Sequence, residues 1–228
     1  MSAFHKIIAS VRSALERKVE TIPLHADLGP AALPSSAAAR RAELTAQFGR
    51  ELERVGGHFF GLIAKAEARD RVATIAQESG ARSAIVGAGV TFDAELIAKA
   101  LARNRIEVIR PDRLKDNDRA AMRDRVANCE LGFIEADYAI AATGTFCVIA
   151  TAQRPSSLTI LPPANFIVVA ADRILPTLAD VIAAVGPERF ATHRVALITG
   201  PSRTADIEKL IVIGVHGPKK LYAAAITP

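Results

Sequence analysis

Apolar residues recur every three or four positions in the first part of the chain, a spacing typical of amphipathic helices. In the first stretch, residues 3–19, the apolar side comprises Phe4, Ile7, Ile8, Val11, Leu15 and Val19. After a proline-rich break at 23–34, a serine cap predicts a second helix that ends near Val55. Because these stretches contain no convincing strand, we predict an N-terminal helical segment at 1–56 and a separate domain at 57–228.

Short apolar runs alternate with helical patterns after residue 57. The predicted strands are HFFGLI from His58, SAIVG from Ser83 and IEVI from Ile106. The predicted helices cover residues 64–78, 93–103 and 118–129. Strands that alternate with helices of this length indicate right-handed βαβ units and a mainly parallel sheet.

The middle of the chain has a different pattern, in which strands follow one another closely. DYAIAATGTFCVIAT is strand-like on both sides of Thr143-Gly144-Thr145, which predicts a hairpin or a sharply bent strand. SLTIL and NFIVVA are predicted as strands, followed by a helix at Leu178–Val185. RVALITG predicts a buried strand that ends at Gly200, and LYAAAI a final strand. The fold class is therefore α/β.

Composition and charge narrow the possible partners. Half of the 228 residues are apolar, the formal net charge is +5, and the chain has no Trp. Few aromatic residues argue against a nucleic-acid partner, since single strands bind on stacking platforms. A weakly basic surface suits a small anionic ligand or an acidic partner protein. Without a signal-peptide pattern or a run of membrane-spanning length, we expect a soluble, cytoplasmic protein with no membrane span.

Metal and redox cofactors are not expected. Cys129 and Cys147 are the only cysteines, too few to hold an iron–sulfur cluster, and no two histidines have zinc-site spacing. The stretch IVGAGVTF places Gly87 and Gly89 as in the start of a dinucleotide-binding fingerprint, but Phe92 stands where the third glycine belongs. An ordinary turn between a strand and a helix is the preferred interpretation there.

Two loops carry the candidate ligand chemistry. Thr143, Gly144 and Thr145 offer hydroxyl and backbone donors at the bend, although hydroxyls in a turn often satisfy only local backbone groups. The second loop follows Gly200, where Thr204 is predicted to cap a short helix that begins at Ala205. Helix N-termini and arginine both favour anions. The candidate ligand-binding residues are Thr143, Gly144, Thr145, Gly200, Ser202, Arg203, Thr204, Asp206, His216 and Gly217.

Three alternatives stay open for these loops. Asp206 would repel an anion, so it either holds the loop backbone or binds a bridging cation. His216 either donates to a ligand or has only a structural role in its turn. The two loops are either the walls of one pocket or unrelated turns, and a single pocket requires Thr143 and Ser202 to lie within roughly 15 Å of each other.

Four stretches together resemble the LUD-domain family. They are ADYAIAATGT, SSLTILPPANFIVV, RILPTLADVI and TGPSRTADIEKLIVIGVHGPKKLYAAAI. The resemblance implies a Rossmann-like αβα sandwich similar to the NagB/RpiA/CoA-transferase superfamily, and a role in the oxidation of L-lactate to pyruvate. It also implies partner proteins of the same system that carry iron–sulfur clusters. Family members often have Glu before Thr-Gly-Thr, where this chain has Ala142, so binding is expected to carry over better than catalysis.

Two functional hypotheses follow from this resemblance and from the loops. In the first, the chain belongs to a lactate-oxidising system and binds a small anionic ligand or a partner without carrying redox centres itself. In the second, it is an autonomous enzyme with a CoA-transferase-like fold that acts on a small carboxylate or phosphate compound. Neither a catalytic residue nor an oligomeric state follows from the sequence.

Overall fold

The computed structural model describes residues 37–87, 89, 91–111, 124–205, 211–214 and 217–227. Its helices are α1 (Ala37–Arg54), α2 (Lys65–Glu78), α3 (Ala94–Arg103), α4 (Leu178–Val185) and α5 (Pro187–Thr192). The strands β1 to β6 are His58–Ile63, Ser83–Val86, Glu107–Ile109, Leu131–Glu135, Tyr138–Ile140 and Thr145–Ile149. The strands β7 to β12 are Ala164–Ala170, Ile174–Leu175, Val195–Ile198, Arg203–Ala205, Ile211–Ile213 and Lys220–Ile226.

A six-stranded sheet has the order β1-β12-β7-β4-β2-β3, and every neighbouring pair in it is parallel. The predicted parallel sheet is therefore confirmed. From β2 the chain passes through α3 to β3 on one side, whereas β4, β7 and β12 follow on the other side. The direction of winding thus reverses between β2 and β4. In open α/β sheets such a reversal opens a crevice at the carboxyl ends of the strands.

Both faces of this sheet are covered. Side chains of α2 and α3, such as Val72 and Leu101, pack with Phe133 and Phe166 of the sheet on one face. On the other face, Phe48 and Leu52 of α1 pack with alternate residues of the same strands. This arrangement is the αβα sandwich that the family resemblance implied, and it confirms the α/β class that the sequence pattern predicted. The central strands β4 and β7 are buried along their whole length, which explains why they are largely apolar rather than alternating.

A second sheet, of four strands in the order β8-β5-β6-β9, packs on the α1 side of the large sheet. Strands β5 and β6 pair antiparallel around Gly144, so the predicted hairpin is confirmed. β9 forms where RVALITG predicted a strand, but it is not buried. It pairs only with β6 at the edge of the sheet, and the side chain of Leu197 is 46% exposed.

Two further predictions in this region need correction. SLTIL is not a strand, because Ser156–Thr159 forms a 3-10 turn in which the Thr159 hydroxyl donates to the Ser156 carbonyl. Strand β4 was not predicted at all, although all five of its residues are buried. The sequence LGFIE is short and ends in a charged residue, so its pattern alone does not distinguish a central strand from a loop.

The helices predicted to end near Val55 and to cover 64–78, 93–103 and Leu178–Val185 agree with the structure. Asp93 caps α3 by accepting a hydrogen bond of 2.8 Å from the backbone of Glu95, as its position before an apolar pattern indicated. Thr177 and Asp180 form a capping box at the start of α4. The predicted helix at 3–19 lies outside the described residues, as do residues 118–123 of the helix predicted at 118–129. Of the remainder of that prediction, 124–127 are helical.

The chain divides into two compact units, Met1–Ser35 and Ser36–Pro228. Only the second unit contains described residues, and α1 is part of its core through Phe48 and Leu52. The predicted division into a helical segment at 1–56 and a domain at 57–228 stays a prediction.

Candidate functional site

Three threonine hydroxyls form a chain of hydrogen bonds at one end of the small sheet. The Oγ1 atom of Thr145 lies 2.7 Å from that of Thr143 and 2.7 Å from that of Thr199. We call Thr143, Thr145 and Thr199 the hydroxyl ladder. Thr145 is buried at its centre, while Thr143 and Thr199 are exposed. Thr199 was not among the predicted residues, because only the antiparallel register of β6 and β9 brings it beside Thr145.

The ladder has a spare hydrogen-bond donor. Three hydroxyls carry three protons, and the two hydrogen bonds between them use two. The Thr143 carbonyl also lies 3.5 Å from the Thr145 hydroxyl, a longer contact than either hydroxyl pair. If Thr145 donates to one neighbouring hydroxyl instead, it accepts from the other neighbour, and the hydroxyl that accepts from Thr145 keeps a free proton. The free donor is then either the Thr143 or the Thr199 hydroxyl, and both are exposed to solvent. The ladder can therefore donate to an oxygen atom of a ligand from either end.

The hydroxyl ladder and the Gly200 loop pack against the carboxyl end of α1. Gly144 has φ +60°, and a Cβ atom there would lie 2.3 Å from the Leu52 backbone nitrogen. Gly200 has φ +76°, and its Cβ would lie 2.8 Å from the Val55 carbonyl oxygen. Only glycine therefore fits either position without strain. Gly144 and Gly200, two of the predicted site residues, therefore allow the backbone to pack closely against the end of α1.

Arg203 connects the same helix end with the predicted ligand loop. Its Nη2 atom donates a 2.5 Å hydrogen bond to the carbonyl oxygen of Val55, just past the end of α1. The carbonyl end of a helix carries partial negative charge, which a guanidinium stabilises. Arg203 is otherwise exposed, so its remaining N–H groups face solvent beside the Gly200 loop.

The loops around Ser202 and Gly217 also meet. The Ser202 backbone donates to the Pro218 carbonyl and accepts from the Gly214 N–H, each at 2.9 Å. A Cβ atom on Gly217 would lie 2.9 Å from Cβ of Ser202, so the absence of a side chain at Gly217 permits this approach. The structure thus brings together the Ser202 and Gly217 segments, which both belong to the second predicted loop. Asp206 and His216 lie outside the described residues, and their predicted roles stay predictions.

The predicted helix start at Thr204 is wrong. Residues Arg203–Ala205 form β10, which pairs antiparallel with β11. The β-branched run Ile211-Val212-Ile213 supplies the partner strand, and this pairing uses the backbone that a helix would need. The argument from a helix N-terminus therefore does not apply to this loop. The rule of ligands at the carboxyl ends of parallel strands does not apply either, since β9 belongs to the mixed sheet.

The turn after β2 is closed by a carboxylate of the chain itself. Glu135, at the end of β4, is 4% exposed and accepts hydrogen bonds from the backbone N–H groups of Thr91 and Phe92. A Cβ on Gly89 would overlap its Oε2 atom. These N–H groups are the donors that a nucleotide phosphate would need. Their use by Glu135 supports the interpretation of Gly87 and Gly89 as an ordinary turn.

A buried ion pair lies next to Glu135. The Nη2 atom of Arg154 lies 2.7 and 2.6 Å from the two carboxylate oxygens of Asp137, and Nη1 donates to the Glu135 carbonyl at 2.6 Å. Asp137 also accepts from the Ile149 N–H at 2.7 Å. Asp137 is therefore engaged in holding the structure.

Both cysteines are buried. Burial is the main reason that the pKa of each thiol rises from 9.0 to about 11, and the nearby Asp137 carboxylate adds to the effect at Cys147. Such thiols are poor nucleophiles and poor metal ligands. Within the described ranges, no group of three or more His, Cys, Asp or Glu side chains is arranged to hold a metal ion. None of the described helices is both long enough and apolar enough to cross a bilayer.

Curated relatives are similar to this chain over much of its length. An uncharacterized protein of Neisseria meningitidis serogroup B is 31% identical over 60% of this chain and 58% of its own length. Lactate utilization protein C of Anoxybacillus flavithermus is 27% identical over 71% of both chains. The protein of the same name from Halalkalibacterium halodurans is 26% identical over 63% of this chain and 62% of its own length.

A solved structure and a family model agree with this similarity. The crystal structure of a DUF162 family protein from Deinococcus radiodurans superimposes with a TM-score of 0.58 at 19% identity, over 82% of this chain and 98% of that one. At this identity the likeness shows the fold alone. The LUD domain model matches residues 45–225, a span that includes the hydroxyl ladder and the Gly200 and Gly217 loops. The chain belongs to the LUD domain family.

Proposed function

We propose that this chain is a component of an L-lactate utilization system and binds a small anionic ligand at the hydroxyl ladder and the Gly200–Arg203 loop. The hydroxyl ladder is the observation that carries the ligand proposal, because it presents a free donor at the surface. The names of the relatives from Anoxybacillus and Halalkalibacterium support the physiological role. The expected cytoplasmic location stays a prediction.

The chemistry of the loop suits a carboxylate such as that of L-lactate. A ladder hydroxyl and the guanidinium of Arg203 supply donors of different strength, and a hydrogen bond to a charged group contributes about 1.5–3 kcal/mol. The small exposed side chain of Ala142 adds no negative charge beside Thr143. The carbonyl end of α1 opposes an anion, and Arg203 offsets this through its hydrogen bond to Val55.

The same proposal assigns electron transfer to iron–sulfur proteins rather than to this chain. Oxidation of L-lactate to pyruvate releases two electrons, which a redox centre must accept. The two buried, protonated thiols of this chain do not suit a cluster. We therefore propose that partner proteins of the same system carry the iron–sulfur clusters and accept the electrons.

Titration of the purified chain with L-lactate and with pyruvate, followed by calorimetry, tests the ligand proposal. Arg203→Gln should weaken binding about tenfold, equivalent to ~1.4 kcal/mol. Thr145→Val keeps the shape of the side chain but breaks the ladder, and should also weaken binding severalfold. Thr74→Val is the matched control, because Thr74 is an exposed threonine of α2 whose hydroxyl donates only to the Asp70 carbonyl.

Two results would contradict the proposal. The first is the absence of saturable binding of either acid to the wild-type chain, and the second is an equal loss in Thr74→Val and Thr145→Val. The alternative of an autonomous enzyme with a CoA-transferase-like fold has only the fold as support, and a fold does not determine a reaction. Turnover of a carboxylate or phosphate compound by the chain alone would favour that alternative.

A further inference from the structure

A polar groove lies at the other end of the small sheet from the hydroxyl ladder. Strand β6 begins at Thr145 and ends at Ile149, which separates the two places by roughly 13 Å. The groove has a volume of about 590 Å³, in the range of sites for small molecules. Its polar lining residues are Thr151, Ser156, Thr192, His193 and Arg194.

The hydrogen bonds of the groove determine the role of His193. The Thr192 hydroxyl donates its only proton to the Glu188 carbonyl at 2.7 Å, and its oxygen lies 2.9 Å from Nδ1 of His193. Since that proton is used, the histidine must be the donor, and Nδ1 carries a hydrogen. The Nε2 atom of the exposed ring then remains for a ligand.

Two hydroxyl protons are also free. The Ser156 oxygen accepts a hydrogen bond of 3.3 Å from Nη1 of Arg194, and the Thr151 oxygen accepts one of 3.1 Å from the Arg154 backbone. Each hydroxyl keeps its own proton for donation, because within the described part of the chain it acts only as an acceptor. The lining residues include no carboxylate. The groove is therefore rich in donors and positive charge, which is the chemistry that an oxyanion needs.

Hydrogen bonds of Thr151 and Arg154 hold one wall of the groove in place. Thr151 and Arg154 exchange backbone hydrogen bonds of 3.0 and 3.2 Å, which close the turn between them. The Arg154 side chain, 5% exposed, anchors this turn to Asp137 and to the Glu135 carbonyl. These bonds fix the backbone of the turn that carries Thr151, so its hydroxyl needs little reorganisation on binding.

We propose that this groove is a second ligand site, and that it binds the phosphate group of a phosphorylated small molecule. Its donors come from two separate segments, the turn that carries the Thr151 and Ser156 hydroxyls and the stretch that ends in Arg194. Donors that approach from several directions match the three terminal oxygens of a tetrahedral phosphate better than the two coplanar oxygens of a carboxylate. The site is independent of the ligand proposed at the hydroxyl ladder.

Inorganic phosphate is the probe, and amide chemical shifts of the full-length chain are the measurement. We expect saturable shifts at Thr151, Ser156 and Arg194. Arg194→Gln should weaken phosphate binding at least about tenfold, since it removes the positive charge of the groove. Ser156→Ala should weaken it severalfold. The matched control is Arg189→Gln, which removes the same charge from exposed α5 without changing the lining of the groove.

Each outcome decides the proposal. An equal loss of affinity in Arg189→Gln and Arg194→Gln would mean general charge attraction and would overturn it. The absence of saturable shifts would do the same, and acetate binding as tightly as phosphate would overturn the assignment to phosphate. Thr145→Val should leave phosphate binding unchanged, so that a failure at the ladder is distinguishable from a failure at the groove.

Discussion

Buried charged residues in this protein are bound to backbone atoms as well as to each other. Glu135 closes the turn before α3 through the Thr91 and Phe92 N–H groups, and Arg154 binds the Glu135 carbonyl beside its ion pair with Asp137. A buried charge without partners would cost several kcal/mol, so these side chains are firmly held. Their main role is to fix loops at the reversal point of the parallel sheet.

At the same scale, the two buried thiols should be unreactive in the native protein. Burial raises the pKa of Cys129 and of Cys147 to about 11, so near neutral pH almost no thiolate is present. We expect negligible alkylation of the folded chain and rapid alkylation of both residues in denaturant. Fast reaction of the native protein, measured by mass spectrometry, would contradict the burial of these residues.

The same shifts predict a loss of stability in alkali. Between 9.0 and about 11 the unfolded thiols release protons while the folded ones keep them, so the free energy of unfolding falls as pH rises. The loss should reach about 2 kcal/mol for each thiol. Because lysine and tyrosine also titrate there, the control is the double variant Cys129→Ala/Cys147→Ala. Its unfolding free energy should depend less steeply on pH across this window.

At the scale of elements, the carboxyl end of α1 organises the candidate site. The hairpin turn at Gly144, the Gly200 loop and Arg203 all contact residues from Leu52 to Val55. The sequence predicted both the helix and the hairpin. It did not predict that they touch, because Leu52 and Gly144 are far apart along the chain and no local pattern records the contact.

Gly144→Ala tests this contact. The substitution forces an L-residue into a left-handed conformation, at roughly 1–2 kcal/mol, and drives a methyl group into the α1 backbone, at about 1–3 kcal/mol more. Gly80→Ala is the matched control, because Gly80 has φ +68° but nothing within 4 Å of a Cβ. Urea unfolding should show a clearly larger loss for Gly144→Ala. Equal losses would mean that α1 and the turn do not pack as described.

At the scale of the whole molecule, the core of the α/β unit includes α1. Phe48 and Leu52 are fully buried, and burial of each contributes about 1.5–3 kcal/mol. The chain divides between Ser35 and Ser36, so we expect residues 36–228 to remain folded, with a melting temperature close to that of the full chain. Deletion of residues 1–56 removes α1 and should leave an insoluble or unfolded protein.

Thermal unfolding and gel filtration of the two truncated chains provide the measurement. A folded, soluble chain of residues 57–228 would support the boundary predicted from the sequence and contradict a core role for α1. As a further control, Phe48→Ala in the full-length chain should lower the free energy of unfolding by about 3–5 kcal/mol.

The sequence alone determined the features that depend on neighbouring residues. These are the helices at 64–78, 93–103 and 178–185, the cap at Asp93, five of the six strands of the parallel sheet, the turn at Gly144, and the motifs that resemble the LUD-domain family. Only the tertiary structure decided the features that depend on pairing across the chain. The antiparallel register of β6 and β9 placed Thr199 beside Thr145. Pairing with β11 turned the residues after Ser202 into a strand. Contacts between distant segments placed the Glu135 carboxylate in the turn at Gly89. A hydrogen bond between distant segments does not affect the periodic spacing of apolar residues along the chain. Its two partners therefore could not be predicted from the sequence.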